Sequence, residues 1–133
     1  MTLHRTLAPI LAFAAALTAS SAVAEFAIGF TWGDIPLCTS GTPNTVGSPR
    51  FVVSGLPDGT ERIDFRLRDL DAPGYDHGGG AVRINRAGTV PFGTFTYRSP
   101  CPPGGRHTYE WTATARGARQ VLGRATARRR YPE

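Results

Sequence analysis

Two stretches of the chain alternate apolar and polar residues with a period of two, the pattern of a strand with one face in a core and the other in water. In Arg62–Asp69, Ile63, Phe65 and Leu67 share one face, while Arg62, Asp64, Arg66 and Arg68 share the other. In 106–116, His107, Tyr109, Trp111, Ala113 and Ala115 oppose Thr108, Glu110, Thr112 and Thr114. Weaker runs at 26–32, 51–54, 81–84, 94–98 and 120–127 predict further short strands, with Trp32 and Trp111 in the core. Between them, 36–49 reads as a Thr-, Ser-, Gly- and Pro-rich loop and 74–80 as a Gly-rich one. Gly55-Leu56-Pro57-Asp58-Gly59 reads as a turn in which Pro presets one dihedral and Gly permits positive φ. Helical periodicity is nearly absent, and 16 Gly and 11 Pro punctuate the chain densely. The expected fold is all-β: an antiparallel β-sandwich of seven or so strands, with few or no helices.

The N-terminus departs from this pattern. His4 and Arg5 precede an apolar run over 7–17, and Ala22-Val23-Ala24 fits the small-x-small site of a cleaved signal peptide. The run is short for a membrane span of about 20 residues. The expected organisation is a signal peptide over 1–24 and one domain over 25–133, with no membrane span after cleavage and a periplasmic or secreted location.

In an exported chain the only two cysteines, Cys38 and Cys101, most simply form one disulfide. That leaves Cys101 no role as a nucleophile. The formal charge is +5, and all basic residues are Arg. Arg116, Arg119, Arg124, Arg128, Arg129 and Arg130 crowd the C-terminal part and read as a solvated basic tail; export argues against a nucleic-acid partner.

The parity of the two best strands carries the functional reading. Asp69 and Asp71 continue the face of Ile63, Phe65 and Leu67, and His107 and Tyr109 begin the face of Trp111. If the strands are antiparallel over a common core, Asp69, Asp71, His107 and Tyr109 meet at one rim above an apolar floor. Carboxylates on a buried face are costly unless hydrogen-bonded, and His107 and nearby turn amides can supply the bonds. Gly104, Gly105 and the 78–80 run offer backbone N–H groups for an anion.

The segments LRDLDAP (67–73) and SPCPPGGRHTYEW (99–111) resemble the phosphatidylethanolamine-binding protein family, also called Raf kinase inhibitor-like proteins. That family carries a D-P-D-A-P segment and, later, a Y-x-G-P-x-P-P-x-G-x-H-R-Y-x-F type segment. The resemblance spans roughly 50–116 and implies a β-sandwich with a small anion pocket at one end. Carried over, the ligand-binding residues are Asp69, Asp71, Ala72, Pro73, His107 and Tyr109, with His77 standing for the family's intervening His and Gly105 in the turn. Leu70 stands in place of the first Pro and Thr108 in place of the Arg, and no Trp follows His77.

The expected function is that of an exported, non-enzymatic protein binding a small phosphate-like or other anion, such as a phospholipid head group, without cofactor or resident metal. An alternative is a module that binds or inhibits another exported protein through a vestigial pocket. An Asp/His hydrolase is a third reading; it has no evident nucleophile, so His107 and Asp69 alone would have to activate water.

Overall fold

The computed structural model describes Thr2, 8–18 and 24–133. Nine strands follow in order: β1 (Ala27–Phe30), β2 (Thr45–Gly47), β3 (Phe51–Ser54), β4 (Arg62–Asp69), β5 (Gly79–Arg83), β6 (Gly88–Val90), β7 (Thr96–Arg98), β8 (His107–Gly117) and β9 (Gln120–Tyr131). There is no helix among the described residues. The fold is all-β and sandwich-like, as the sequence predicts. One sheet runs β5-β4-β8-β9, a second β1-β3-β6, and β2 pairs with β7. All pairings are antiparallel.

The alternation seen in sequence becomes the core. Ile63, Phe65 and Leu67 of β4 and Tyr109, Trp111, Ala113 and Ala115 of β8 are buried, as are Ile28 and Phe30 of β1 and Phe51 and Val53 of β3. Phe51 stacks on Phe65 at 4.3 Å between ring centroids and meets Trp111 edge-on at 5.3 Å. Such aromatic pairs add specific geometry to the burial of a large apolar area. The Cys38–Cys101 disulfide is present. It ties the loop after β1 to the turn before β8, and the Tyr131 hydroxyl accepts from Cys38 N at 3.0 Å.

Several expectations require correction. The loop predicted over 36–49 contains β2, whose Val46 pairs with Tyr97 in register. β6 was not apparent in the sequence at all; a three-residue strand is too short to show a period. Gly79 and Gly80 are strand residues rather than part of a flexible loop. A Cβ at Gly79 would lie 1.7 Å from Phe65 O, and one at Gly80 would lie 2.6 Å from the Phe95 ring, so close approach of backbone and ring requires glycine. The C-terminal arginines are not a tail: β9 runs to Tyr131, Arg128 bonds Glu110 at 2.7 Å, and Arg129 Nε donates to Phe30 O.

Of the expected signal segment, 8–18 carries no regular secondary structure and exposes Ile10, Leu11, Phe13 and Leu17. Ala22 and Val23 of the expected cleavage site lie outside the described residues. Among the described residues no helix is long and apolar enough to cross a membrane.

Tyr97 gives a stability test. Its hydroxyl is buried without a hydrogen-bond partner, and burial, with a smaller contribution from Tyr131, pushes the phenol well above its ordinary range. An unpaired buried hydroxyl costs about 1–3 kcal/mol. Tyr97→Phe is therefore expected to stabilise the fold by about 1 kcal/mol, read as a higher midpoint in thermal denaturation followed by circular dichroism.

Candidate functional site

β4 and β8 bring the two sequence motifs together. Asp69 stands opposite Tyr109, at the end of one strand and near the start of the other. Asp69 keeps the inward parity of its strand and is buried, at 4% exposure. Its burial is balanced by hydrogen bonds on both oxygens. Oδ1 accepts from the backbone amides of Asp71 at 2.9 Å and Ala72 at 3.1 Å, forming the turn that ends β4. Oδ2 accepts from His107 Nδ1 at 2.6 Å.

The contact fixes the imidazole. A carboxylate only accepts, so His107 Nδ1 carries the proton and donates it. Nε2 is then the ring nitrogen left for a ligand. The His107 side chain retains 22% of its exposure, against 5% for that of Asp69. The pair therefore has one buried, orienting member and one accessible member.

Asp71 leaves the strand parity and faces solvent. Its Oδ2 accepts from Thr108 N at 2.7 Å, and Leu70 N donates to Thr108 O at 2.9 Å. These two bonds lock the turn after β4 onto the first residues of β8.

Tyr109, expected at the rim, lies beneath it. It is fully buried, with Trp32 edge-on at 5.7 Å, His77 edge-on at 5.5 Å and the His107 ring at 6.3 Å. It forms the floor beneath the Asp69–His107 pair. Burial, and then the charge of Asp69, raise its phenol well above the ordinary range, while the Cys101 backbone pulls the other way.

His77 is likewise buried. Its Nδ1 donates to Arg98 O at 2.8 Å, and Arg98 N returns a bond to His77 O at 2.8 Å. It packs under Tyr109 and ties the start of β5 to β7, a structural position rather than a ligand contact. Pro73 is exposed and lines a cleft of about 280 Å³ with Arg66, Leu67, Arg68, Gly74, Tyr75 and Asp76. Of the amides expected to meet an anion, Gly78 N already donates to Asp76 Oδ1 at 2.8 Å, and Gly79 and Gly80 are paired with β4.

Gly104 and Gly105, in the turn before His107, are exposed, with φ of 67° and 100° that favour glycine. Arg106, between this turn and His107, is exposed and has no acidic partner among the described residues. Its one signal in the sequence is its place in GGRHTYEW, two positions before the Thr108 that stands where the resembled family has Arg.

Asp69, Asp71 and His107 also bring ligand-capable atoms within 4.8 Å of one another. A divalent cation there would compete for Asp69, whose Oδ1 accepts two backbone amides and whose Oδ2 accepts the imidazole, while Asp71 Oδ2 accepts Thr108 N.

Comparison with family models, with curated proteins and with solved structures found no match.

Proposed function

We propose that the chain is an exported, non-enzymatic binding protein whose His107 rim takes a small phosphate-like anion, with a phosphoethanolamine head group as the reference ligand. One observation carries the reading: Asp69 Oδ2 holds His107 Nδ1 at 2.6 Å, so the ring is held in one orientation with Nε2 left for a ligand. When protonated, that nitrogen makes a charge-assisted hydrogen bond to an oxyanion. Arg106 and the exposed Gly104-Gly105 turn directly precede His107 in the chain and add donors and positive potential beside it. The resemblance of 67–73 and 99–111 to the phosphatidylethanolamine-binding protein family points the same way. Export accords with the disulfide and with the apolar run over 7–17.

The non-enzymatic reading rests on the groups present. Cys101 is spent in the disulfide, and both oxygens of Asp69 are engaged in holding the rim. A protein-binding reading has one observation of its own. Leu37 is 76% exposed, next to Cys38, which is bonded to the Tyr131 that pairs with His107. It predicts a partner in pull-downs from the same compartment that persists in a His107 variant.

His107→Asn separates these readings. The Asn amide keeps a donor near the Nδ1 position for Asp69 but has no group at Nε2. Titration with phosphoethanolamine, followed by the NMR signals of residues 104–109, is expected to show affinity at this rim reduced at least about tenfold in this variant, with little change in melting temperature. Equal affinity in the two proteins would refute the assignment.

A further inference from the structure

A second site lies at the opposite end of β4 and β8 from His107. Glu61, Arg62, Arg83, Arg116, Gly117 and Arg119 line a cleft of about 580 Å³, within the span of roughly 300–1,000 Å³ usual for small-molecule sites. Arg62 stands directly opposite Arg83 on β5 and directly opposite Arg116 on β8. Three guanidinium-bearing residues in one cross-strand row are mutually repulsive. Only Asp64 intervenes, accepting from Arg62 Nε at 3.2 Å and Arg116 Nε at 2.6 Å. Arg83 and Arg119 have no acidic partner among the described residues.

The backbone here is also unusual. β8 and β9 are joined by the two-residue turn Ala118-Arg119, with φ of 48° and 67°. Such a turn favours Asn-Gly, and neither position carries Asn or Gly. The β8–β9 register shifts between Ala115 and Arg116, an irregularity of the kind that re-aims a side chain. The mouth is fixed by Glu61, whose N donates to Arg116 O at 2.8 Å and whose O accepts from Ile84 N at 3.2 Å. Four arginines against Glu61 and Asp64 leave an excess of two positive charges.

From these features we infer that the cleft binds a dianionic tetrahedral oxyanion carried on a small polar body, a phosphomonoester. An Arg bonded through Nε still has Nη donors for phosphate, and the planar fork suits bidentate contact. There is room for the body. An adjoining cleft of about 380 Å³ shares Glu61 and Arg83 and continues past Thr60, Ile84 and Asn85. The site is independent of the His107 reading and stands or falls separately from it.

The test is calorimetric titration of the full chain at low ionic strength with inorganic phosphate and with glucose 6-phosphate, and flotation with vesicles of phosphatidylcholine containing phosphatidic acid. In the His107→Asn background inorganic phosphate is expected to bind, and adding the double change Arg83→Gln/Arg119→Gln to cost at least about tenfold in affinity. His107→Asn is expected to retain this binding. Tighter binding of glucose 6-phosphate identifies a soluble ester as the source; Arg83- and Arg119-dependent flotation without glucose 6-phosphate binding identifies a lipid head group. No heat with phosphate at roughly 10 mM, equal affinity in the double variant, or binding of heparin or DNA alone would overturn the proposal.

Discussion

Replacing both cysteines, as in Cys38→Ser/Cys101→Ser, is expected to lower the melting temperature by roughly 15–25 °C. The bridge closes a loop with a sequence separation of 63 residues. In the chain-entropy account, closing such a loop in the unfolded state contributes about 4 kcal/mol to folding stability. That is a large share of the stability of about 5–15 kcal/mol usual for a single domain. The loss also has a local consequence. Cys101 lies in the segment leading to Gly104, Gly105 and His107, and Cys38 N is held by Tyr131. Without the bridge, the turn at the mouth loses its tie to the loop after β1, and phosphoethanolamine affinity should fall even below the melting transition. Thermal denaturation by circular dichroism, with and without reductant on the wild-type chain, checks the first claim. A drop of less than about 5 °C would show that the bridge is not a main support of the fold.

Asp69→Ala is expected to be the most damaging single substitution at the rim. It removes one buried carboxylate and strands three donors: the Asp71 and Ala72 amides and His107 Nδ1. Losing one partner of a buried hydrogen-bonded group costs about 1–3 kcal/mol, more when charge is involved. The variant should therefore lose roughly 3 kcal/mol and about 10–20 °C in melting temperature. With the imidazole no longer fixed, phosphoethanolamine affinity should fall more than about tenfold. Asp71→Ala is the control. Asp71 is exposed and supports one amide, Thr108 N, so about 1 kcal/mol is expected. Chemical denaturation of the two variants in parallel measures the ratio, and equal losses would mean that Asp69 has no special place.

Much of this arrangement was legible in the residues. The two long alternations marked β4 and β8 as half-buried strands, and their parity put Asp69 and His107 on the inward side at ends that meet if the two strands pair antiparallel, as they do. That inference needed only a period of two and the cost of burying a carboxylate. The roles within the rim were less legible. His107 and Tyr109 have the same parity, and the sequence does not show that Trp32, from the segment after β1, packs edge-on against Tyr109, which is fully buried while His107 keeps part of its exposure. His77 read as a loop residue because its partner, the Arg98 carbonyl, is 21 positions away and belongs to a three-residue strand with no period of its own. The arginines of β9 looked like a tail because their charges mask an alternation completed by Glu110 and the Phe30 carbonyl. The row Arg83–Arg62–Arg116 depends on cross-strand register, which a single sequence does not display.

The central claim is that Asp69 fixes His107 so that Nε2 faces the ligand. Nitrogen-detected NMR of the histidine side chains tests it directly. Before ligand, the neutral His107 ring should carry its proton on Nδ1. On titration with phosphoethanolamine the His107 Nε2 resonance should move saturably, while His77, buried and bonded to Arg98, should stay nearly unchanged. A proton found on Nε2 of the neutral ring, or a His107 signal unmoved at millimolar ligand, would contradict the account.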